Sequence, residues 1–493
     1  MADGLFARKI ARGPFRGYSP SMPQMGEVVV LRLAVTDGRP LTPGTGLYVH
    51  HPAEAGPAYY AVVTAIDGTA NTRAFAALAE PVAEKPGRGR PVLQRVEDLK
   101  VFYDFPGERR RYVQWCAPPL SPRPNMYFNW TVMLPPDCVD DSGWLKKDVA
   151  AKSPAEVYFH SRYFSHAKPR QKYLLDSIQI APHDYPPSGW YGYNDAAGTG
   201  RPLGRGTVGN HTQQRIIAFL DWAKTALPID PDRIIPVGAD GAAMLAIAYP
   251  DTFAYVLINK FSNVAVSQHP AASLIRAWGP RSREIKDAEG RSEWGWAMMD
   301  QVLLASRGRD LPLIFCKGYS WGPYVRGFAK GEGRFYTAMQ KANQPIMADW
   351  TWASGKLLSP DSYTGLWRGL DITRTTPVPA MANCSTNSNR ESNGNVNLPI
   401  TWQPVEEGPG KVQVALSSRS GGTLDLALRR LGKFRVKPGQ TLLWEATSAK
   451  PRRGETPEPQ SGKVAVDRDG LFVLKGLKIA RGCELTVKVT RSR

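Results

Sequence analysis

The sequence feature that most constrains this chain is a glycine-bracketed turn between an apolar strand and an apolar helix. Residues 230–237 predict a short buried strand, and residues 243–251, which end in Tyr-Pro-Asp, predict a helix terminated by proline. Between them lies the run Gly238-Ala239-Asp240-Gly241-Ala242. Because glycine adopts backbone angles that other residues avoid, this run permits a sharp turn from strand into helix. The pattern predicts one unit of a layered α/β domain.

Alternating strands and helices extend on both sides of this turn and predict a domain over residues 106–380. Apolar residues recur at helical spacing over residues 212–224. Strand-like apolar runs begin near residues 113, 130, 155, 177, 254 and 311. Such alternation predicts a mostly parallel sheet with helices on both faces.

Short strand-like segments separated by turn residues flank this domain. They occupy residues 27–105, after an N-terminal extension of residues 1–26, and residues 381–493. Within them apolar and polar residues alternate, and Gly, Pro, Asn and Asp punctuate the runs. The sequence therefore predicts two small all-β sandwiches of the immunoglobulin or fibronectin III kind.

The turn and its surroundings resemble the nucleophile elbow of the α/β-hydrolase superfamily, with Asp240 at the serine position of Gly-x-Ser-x-Gly. The arginine-led strand at 232–237 and the Tyr-Pro-x-x-Phe run at 249–253 are similar to those of extracellular polyhydroxybutyrate depolymerases, feruloyl esterases and prolyl-oligopeptidase-like hydrolases. The resemblance covers residues 125–365 and implies an α/β-hydrolase fold. Residues 44–52 and 428–439 resemble parts of large bacterial proteins, notably from planctomycetes, in which β modules surround such a domain.

All three catalytic positions that the resemblance implies hold unsuitable residues. Asp240 replaces the serine, and the turn that would carry the acid, Gly-Tyr-Ser-Trp, places Trp321 there. The turn that would carry the histidine ends at Lys356. In this fold the histidine follows the nucleophile and the acid along the chain, whereas His269 is the last of the seven histidines. The sequence therefore predicts a pseudohydrolase that serves as a binding or structural component.

An aspartate nucleophile is the alternative, because epoxide hydrolases and haloalkane dehalogenases of this fold carry aspartate at the elbow. Its ester intermediate must be cleaved by water that a base activates. Only His183 and His211, on upstream loops, are candidates for such a displaced base. A third interpretation makes Asp240 a structural carboxylate at the N-terminus of the following helix.

An aromatic-rich loop over residues 185–194 follows the strand near residue 177. In open α/β folds this edge of the sheet binds ligands, and aromatic rings there suit stacking on sugars or an apolar ligand. The alternative is a packed lid that fills the pocket. Six aromatic residues are the candidates for this site: Trp190, Tyr191, Tyr193, Trp321, Trp350 and Trp352.

Cofactor and metal motifs lack the context that they require. The Gly-x-Gly-x-x-Gly run at residues 204–209 follows no strand directly, so we expect no nucleotide cofactor. His160 and His166 lack partners at ligand spacing, so we expect no metal site and place both histidines in loops or on the surface. The five cysteines form no C-x-x-C pair, although a disulfide, for instance between Cys116 and Cys138, stays open.

Charge points to a class of partner. Lys and Arg total 63 against 44 Asp and Glu, and residues 411–493 alone carry 18 basic and 7 acidic residues. Such a field favours polyanions such as acidic polysaccharide, an anionic envelope or nucleic acid, and the alternative is solubility alone. Other protein subunits are also candidate partners. No apolar run reaches the ~18 residues of a membrane span. The first residues lack the apolar core of a signal peptide, so localisation stays open, although the resemblance implies an extracellular setting.

Overall fold

The computed structural model describes residues 34–36, 39–42, 47–67, 69–98, 107–124, 126–139, 145, 152–160, 165–167, 169, 172–174, 176–184, 188–238, 241–259, 275, 277–280, 286, 290, 299–317, 334–349, 371–388, 390, 394–449 and 457–492.

The first six strands form hairpin-like pairs with little burial. They are β1 (Ala34–Thr36), β2 (Arg39–Pro40), β3 (Gly56–Ala58), β4 (Ala61–Ile66), β5 (Thr69–Ala77) and β6 (Val82–Glu84). They pair as β1 with β2, β3 with β6 and β4 with β5. No described side chain of β2–β6 is buried, and Val62 and Ile66 in β4 are 80% and 76% exposed. A β-sandwich over residues 27–105 is therefore not confirmed.

A ten-stranded sheet forms the centre of the molecule. Its strands are β7 (Pro91–Asp98), β8 (Glu108–Cys116), β9 (Met126–Leu134), β10 (Ser153–Phe159), β11 (Ile178–Pro182), β12 (Ile229–Gly238), β13 (Tyr255–Asn259), β14 (Leu313–Lys317), β15 (Ile346–Asp349) and, after β16 (Val378–Ala382), β17 (Asn395–Val396). The spatial order is β17-β15-β14-β13-β12-β10-β11-β9-β8-β7. Strand β7, which lies in the predicted segment 27–105, thus forms one edge of the central sheet.

The order and polarity of these strands fit the α/β-hydrolase fold. Strands β10 to β15 pair with one another in parallel. The remaining pairs are antiparallel: β9 with β8 and with β11, β7 with β8, and β17 with β15. When β8 to β15 are numbered one to eight along the chain, their spatial order in the sheet is 1-2-4-3-5-6-7-8. The predicted mostly parallel sheet is confirmed. Parallel neighbours need crossover connections, and a described helix lies in each connection from β11 to β15.

The described helices are α1 (His211–Ala226), α2 (Gly241–Ala248), α3 (Met299–Ala305) and α4 (Arg334–Lys341). Helix α1 buries Ile216, Phe219, Leu220 and Ala223, which recur at helical spacing, and Phe219 stacks on Trp130 at 3.8 Å between ring centroids. Helix α2 begins two residues before its predicted start and ends at Ala248, before a 3₁₀ turn at Pro250–Thr252. The predicted helix over residues 212–224 is confirmed as part of α1.

The two faces of the central sheet are covered differently. Alternate strand residues such as Val256 and Ile314 share an apolar cluster with all four described helices. The intervening residues, such as Leu257 and Phe315, share a second cluster with the strands near the C-terminus. Because strand side chains alternate between faces, helices cover one face and β strands the other among the described residues. Helices on both faces, as predicted, are not confirmed.

Two antiparallel sheets make up the C-terminal β region. Its further strands are β18 (Ile400–Trp402), β19 (Glu406–Glu407), β20 (Lys411–Ser418), β21 (Gly422–Arg429), β22 (Thr441–Ser448), β23 (Gln460–Ala465), β24 (Leu474–Ile479) and β25 (Glu484–Arg491). One sheet has the order β16-β21-β24 and the other β18-β20-β25-β22-β23, with β19 paired to β20. Both contribute to the second apolar cluster. The immunoglobulin-like assignment and the predicted boundaries stay predictions.

Two buried arginines join the C-terminal β region to the rest of the molecule. Arg429 forms an ion pair with Asp310 at 2.7 Å and donates Nη2 to the carbonyl oxygens of residues 307 and 309. Arg430, at φ +59°, donates to the carbonyl oxygens of Pro250, Phe253, Ala254 and Thr373 over distances of 2.8–3.4 Å. Burial lowers the pKa of Arg430 to about 10, so the side chain stays charged at neutral pH.

All five cysteines are buried free thiols, so the disulfide left open for Cys116 and Cys138 is absent from the structure. Burial raises the pKa of the Cys116 thiol to about 12. Burial of Cys316, expected from its apolar strand, is confirmed. No helix in the described ranges combines the length and apolarity needed to cross a membrane.

Candidate functional site

The strand and the helix on either side of the elbow lie where they were expected. Strand β12 ends at Gly238, whose φ is +116°, and α2 begins at Gly241. A Cβ on Gly238 would lie 2.3 Å from the carbonyl oxygen of Phe159, and one on Gly241 would lie 2.3 Å from Cγ of Trp190. Both glycines are therefore required by the close approach of their neighbours. Asp240, Trp321, Trp350, Trp352 and Lys356 lie outside the described residues.

Trp190 lies directly against the elbow. Its indole is 6% exposed and makes edge contacts with the rings of Phe159 and His160, at 4.7 and 4.8 Å between centroids. In an α/β-hydrolase, the backbone N–H after the nucleophile helps to bind the oxyanion of the reaction intermediate. Gly241 holds that position here, and the Trp190 ring packs on it. The indole thus occupies the space beside Gly241.

A buried carboxylate fixes Trp190 in place. Asp184 accepts hydrogen bonds from Ser188 Oγ at 2.5 Å, Ser188 N at 2.9 Å and Trp190 N at 3.2 Å. Burial raises the pKa of Asp184, and these hydrogen bonds act in the opposite direction. They hold a backbone in which Gly189 and Trp190 both have positive φ, of +65° and +67°. A bulky residue keeps this conformation only where its surroundings impose it.

The same segment is tied to α1. Ser188 Oγ lies 3.1 Å from Thr212 Oγ1, which also accepts a hydrogen bond from Arg215 Nη2 at 3.3 Å. The buried guanidinium of Arg215 lies 3.4 Å from the centroid of the Phe128 ring. We call residues 188–194 the lid segment, because they are fixed at both the sheet and the helix and carry Trp190 over the elbow.

The predicted aromatic platform is not open. Tyr191 and Tyr193, like Trp190, are buried, with 4% and 1% exposure. Tyr191 makes an edge contact with Trp278 at 6.2 Å between centroids, and burial raises the pKa of Tyr193 to about 12. Rings enclosed in this way offer no free face for stacking a ligand. In these three residues the structure corresponds to the packed lid, which was the alternative interpretation.

Three histidines gather beside the lid segment. His166 and His183 stack with 4.7 Å between centroids and 7° between ring planes, and His160 lies 5.8 Å from His183. His160 lies in a loop directly after β10, which is one of the two expected positions, and it is buried there. Parallel stacked rings do not direct their nitrogens at one ion. In the described part of the chain, no group of three or more His, Cys, Asp or Glu side chains could hold a metal ion.

The pKa values of both predicted bases are lowered. Burial, with His160 and Arg215 nearby, lowers the pKa of His183 to about 3. Burial also lowers the pKa of His211, whose Nδ1 lies 2.7 Å from the carbonyl oxygen of Pro119. A general base works best when its pKa lies near the operating pH, so a group with a pKa of about 3 is a weak one.

Sequence reasoning missed the positions of His160 and Asp184. His160 directly follows β10, the strand paired with the elbow strand, so fold topology placed it at the ligand edge of the sheet. The role of Asp184 had no comparable signal, because it depends on the positive φ angles of Gly189 and Trp190.

Comparison with protein-family models and with curated proteins finds no match. Among solved structures, S-formylglutathione hydrolase from Agrobacterium tumefaciens is 12% identical with a TM-score of 0.34, over 51% of this chain and 89% of that chain. A fluorophosphonate-binding serine hydrolase from Staphylococcus aureus is 12% identical with a TM-score of 0.33, over 48% and 89%. Oligopeptidase B from Leishmania major is 12% identical with a TM-score of 0.32, over 48% and 32%. These likenesses are too distant to speak for activity. The strand order identifies the chain as hydrolase-like in fold.

Proposed function

We propose that this protein is a catalytically degenerate α/β-hydrolase-like protein that works as a binding component, with its basic C-terminal β region directed at an anionic polymer. An acidic polysaccharide of a bacterial surface is the polymer that this proposal names. The C-terminal β region would serve as an immunoglobulin- or fibronectin III-like module beside the inactive domain.

The packing of Trp190 on Gly241 carries the first half of the proposal. A substrate carbonyl must approach the oxyanion donor closely for that donor to stabilise the developing charge. The buried indole stands in this approach, and Asp184 holds its backbone. Support also comes from the sequence, in which Asp240 replaces the nucleophile and no histidine follows His269.

Hydrolysis assays test this half. We expect no turnover of an ester, glycosyl-ester and epoxide panel by the protein, by Asp240→Asn or by Trp190→Ala. Trp222→Ala, at a half-buried position on α1, is the matched control for loss of an indole. The contrary result is turnover by the original chain or by Trp190→Ala that is lost when Asp240→Asn is added. That result would favour an active hydrolase with an aspartate nucleophile.

The excess of 18 basic over 7 acidic residues in residues 411–493 carries the binding half. Lys433, Lys437 and Lys463 are exposed there. Clustered charge raises the local concentration of a polyanion in a manner that salt weakens. The proposal therefore requires polyanion binding to depend more on the charges of residues 411–493 than on the net charge of the chain.

Retention on a heparin column tests that requirement. The triple variant Lys433→Gln, Lys437→Gln, Lys463→Gln should elute at clearly lower salt than the original chain. The matched control removes three exposed charges from the N-terminal region, as Arg73→Gln, Lys85→Gln, Arg90→Gln. Equal shifts for the two triple variants would mean that only net charge acts, and would refute the binding half.

A further inference from the structure

A polar cleft lies between the central domain and the three-stranded sheet β16-β21-β24. None of its described lining residues belongs to the elbow. Its volume is about 410 Å³, which falls within the range of small-molecule sites. Helix α4 forms one wall, and residues in or next to β16, β21 and β24 form the other. The polar and charged groups that matter here are Arg307, Gln340, Lys341, Asn383, Asp425 and Lys475.

Hydrogen bonds link the two walls. The backbone N–H of Asn383 donates to Gln340 Oε1 at 3.2 Å, which joins β16 to α4. Asn383 Nδ2 and the backbone N–H of Gly476 each donate to Asp425 at 2.8 Å, which joins β16, β21 and β24. A cleft whose walls are fixed in advance loses less conformational freedom when a ligand binds.

Two lysines of the cleft form no ion pair within the part of the chain that the structure describes. Arg307 is paired with Asp467 at 2.9 Å and Asp469 at 3.1 Å. Both oxygens of Asp425 accept hydrogen bonds from the walls. Lys341 and Lys475 are exposed, and neither forms an ion pair with any carboxylate in the described ranges. The cleft therefore combines two exposed ammonium groups, which form no ion pair among the described residues, with amide side chains.

We infer that this cleft binds an oxyanion-bearing unit of the anionic polymer, with Lys341 and Lys475 contacting the sulfate or carboxylate group. The inference rests on the proposed function and assigns a specific binding site to the polymer. None of the described lining residues is aromatic, so recognition depends on charge and hydrogen bonding rather than on stacking against a sugar ring. Ammonium groups and amide N–H donors match the acceptor oxygens of such a group.

Isothermal titration with a heparin-derived tetrasaccharide and with inorganic sulfate tests the inference on the intact chain. Lys341→Gln and Lys475→Gln should each weaken tetrasaccharide binding about fivefold, and the double variant about 25-fold. Lys478→Gln is the matched control, because Lys478 is exposed on the same strand as Lys475 but does not line the cleft. Its dissociation constant should match that of the original chain.

Each contrary outcome has a separate meaning. If the double variant binds the tetrasaccharide as tightly as Lys478→Gln does, the cleft assignment is overturned, while the heparin retention described above can still stand. If inorganic sulfate binds as tightly as the tetrasaccharide, with the same dependence on the two lysines, the site takes a free anion and the polymer assignment fails. If heparin does not retain the chain, the proposed function fails, and the sulfate titration alone decides whether the cleft binds anions.

Discussion

The strands that precede the central sheet and those that follow it differ in burial, although the sequence predicts strands in both regions. Strand β4, Ala-Val-Val-Thr-Ala-Ile, is exposed at every position. Strand β20, Lys-Val-Gln-Val-Ala-Leu-Ser-Ser, buries every second residue, including Val412, Val414 and Leu416. Strand β20 belongs to one of the two sheets of the C-terminal β region, and its apolar residues pack in the apolar cluster that this region shares with the central sheet. Strand β4 pairs only with β5 in the described ranges.

The difference teaches that a strand-like sequence predicts a strand but not its burial. A two-stranded hairpin has marginal stability in water, whereas two sheets around a shared core stabilise one another. The C-terminal β region gains this support from the second face of the central sheet and from Arg429 and Arg430. The N-terminal hairpins have no comparable support among the described residues.

The largest expected effect is in backbone hydrogen exchange. Amides of β20 and β25 should exchange only through global unfolding, whereas those of β4 and β5 should exchange by local opening. We expect opening free energies that differ by about 5 kcal/mol or more. Hydrogen exchange of the intact chain, read by mass spectrometry, measures the difference. Equal protection of the two regions would mean that the N-terminal hairpin is covered by a partner.

Truncation of apolar side chains should give the next largest effect. Leu485→Ala in β25 should lower the free energy of unfolding by about 3 kcal/mol, because Leu485 is fully buried. Val62→Ala in β4 should change it by less than about 0.5 kcal/mol, since Val62 is exposed. Urea unfolding measures both values. A cost above 1 kcal/mol for Val62→Ala would contradict the comparison, on the scale expected for surface sites.

Removal of an arginine contact should have a smaller effect. Arg430→Met leaves four carbonyl oxygens without their guanidinium donor, and we expect a loss of about 2 kcal/mol. Arg435→Met, at an exposed position, is the control and should be close to neutral. Urea unfolding of both variants, with limited proteolysis, should show the C-terminal β region loosened only in Arg430→Met. The same stability for both variants would show that this contact does not hold the region in place.

Lowering the pH should destabilise the central domain rather than either flanking region. The pKa of His183 is about 3 in the folded protein, below the ordinary value of 6.5. Below pH 6.5 the unfolded chain binds a proton that the folded chain does not bind until about pH 3. Stability is therefore greatest above pH 6.5 and falls as the pH decreases toward 3.

We expect a loss of about 1 kcal/mol from this histidine between pH 7 and 5.5. Urea unfolding at the two pH values, with His183→Asn as the comparison, measures it. The variant should lose less stability than the original chain over this interval. An identical pH dependence in the two would show that His183 is not held in its neutral form.

Much of the central sheet could be predicted from the sequence because its strands are short apolar runs separated by turns and helical spacing. Residues 230–237 and 311–316 predicted strands that the structure contains as β12 and β14. The lid segment could not be read in the same way. From the sequence, Trp190 could equally have faced a ligand. The direction of its side chain depends on contacts with Phe159 and Gly241, which are distant along the chain. It also depends on the hydrogen bond to Asp184 and on the positive φ of Trp190 itself.

The sequence by itself determined the strand, turn and helix of the elbow, the absence of any histidine after His269 and the basic character of residues 411–493. These are local patterns or simple counts, and no packing is needed to find them. Only the tertiary structure decided that Trp190 packs on Gly241, that β strands cover the second face of the central sheet, and that Lys341 and Lys475 line one cleft. The physical reason is that burial and charge pairing depend on which segments meet in space.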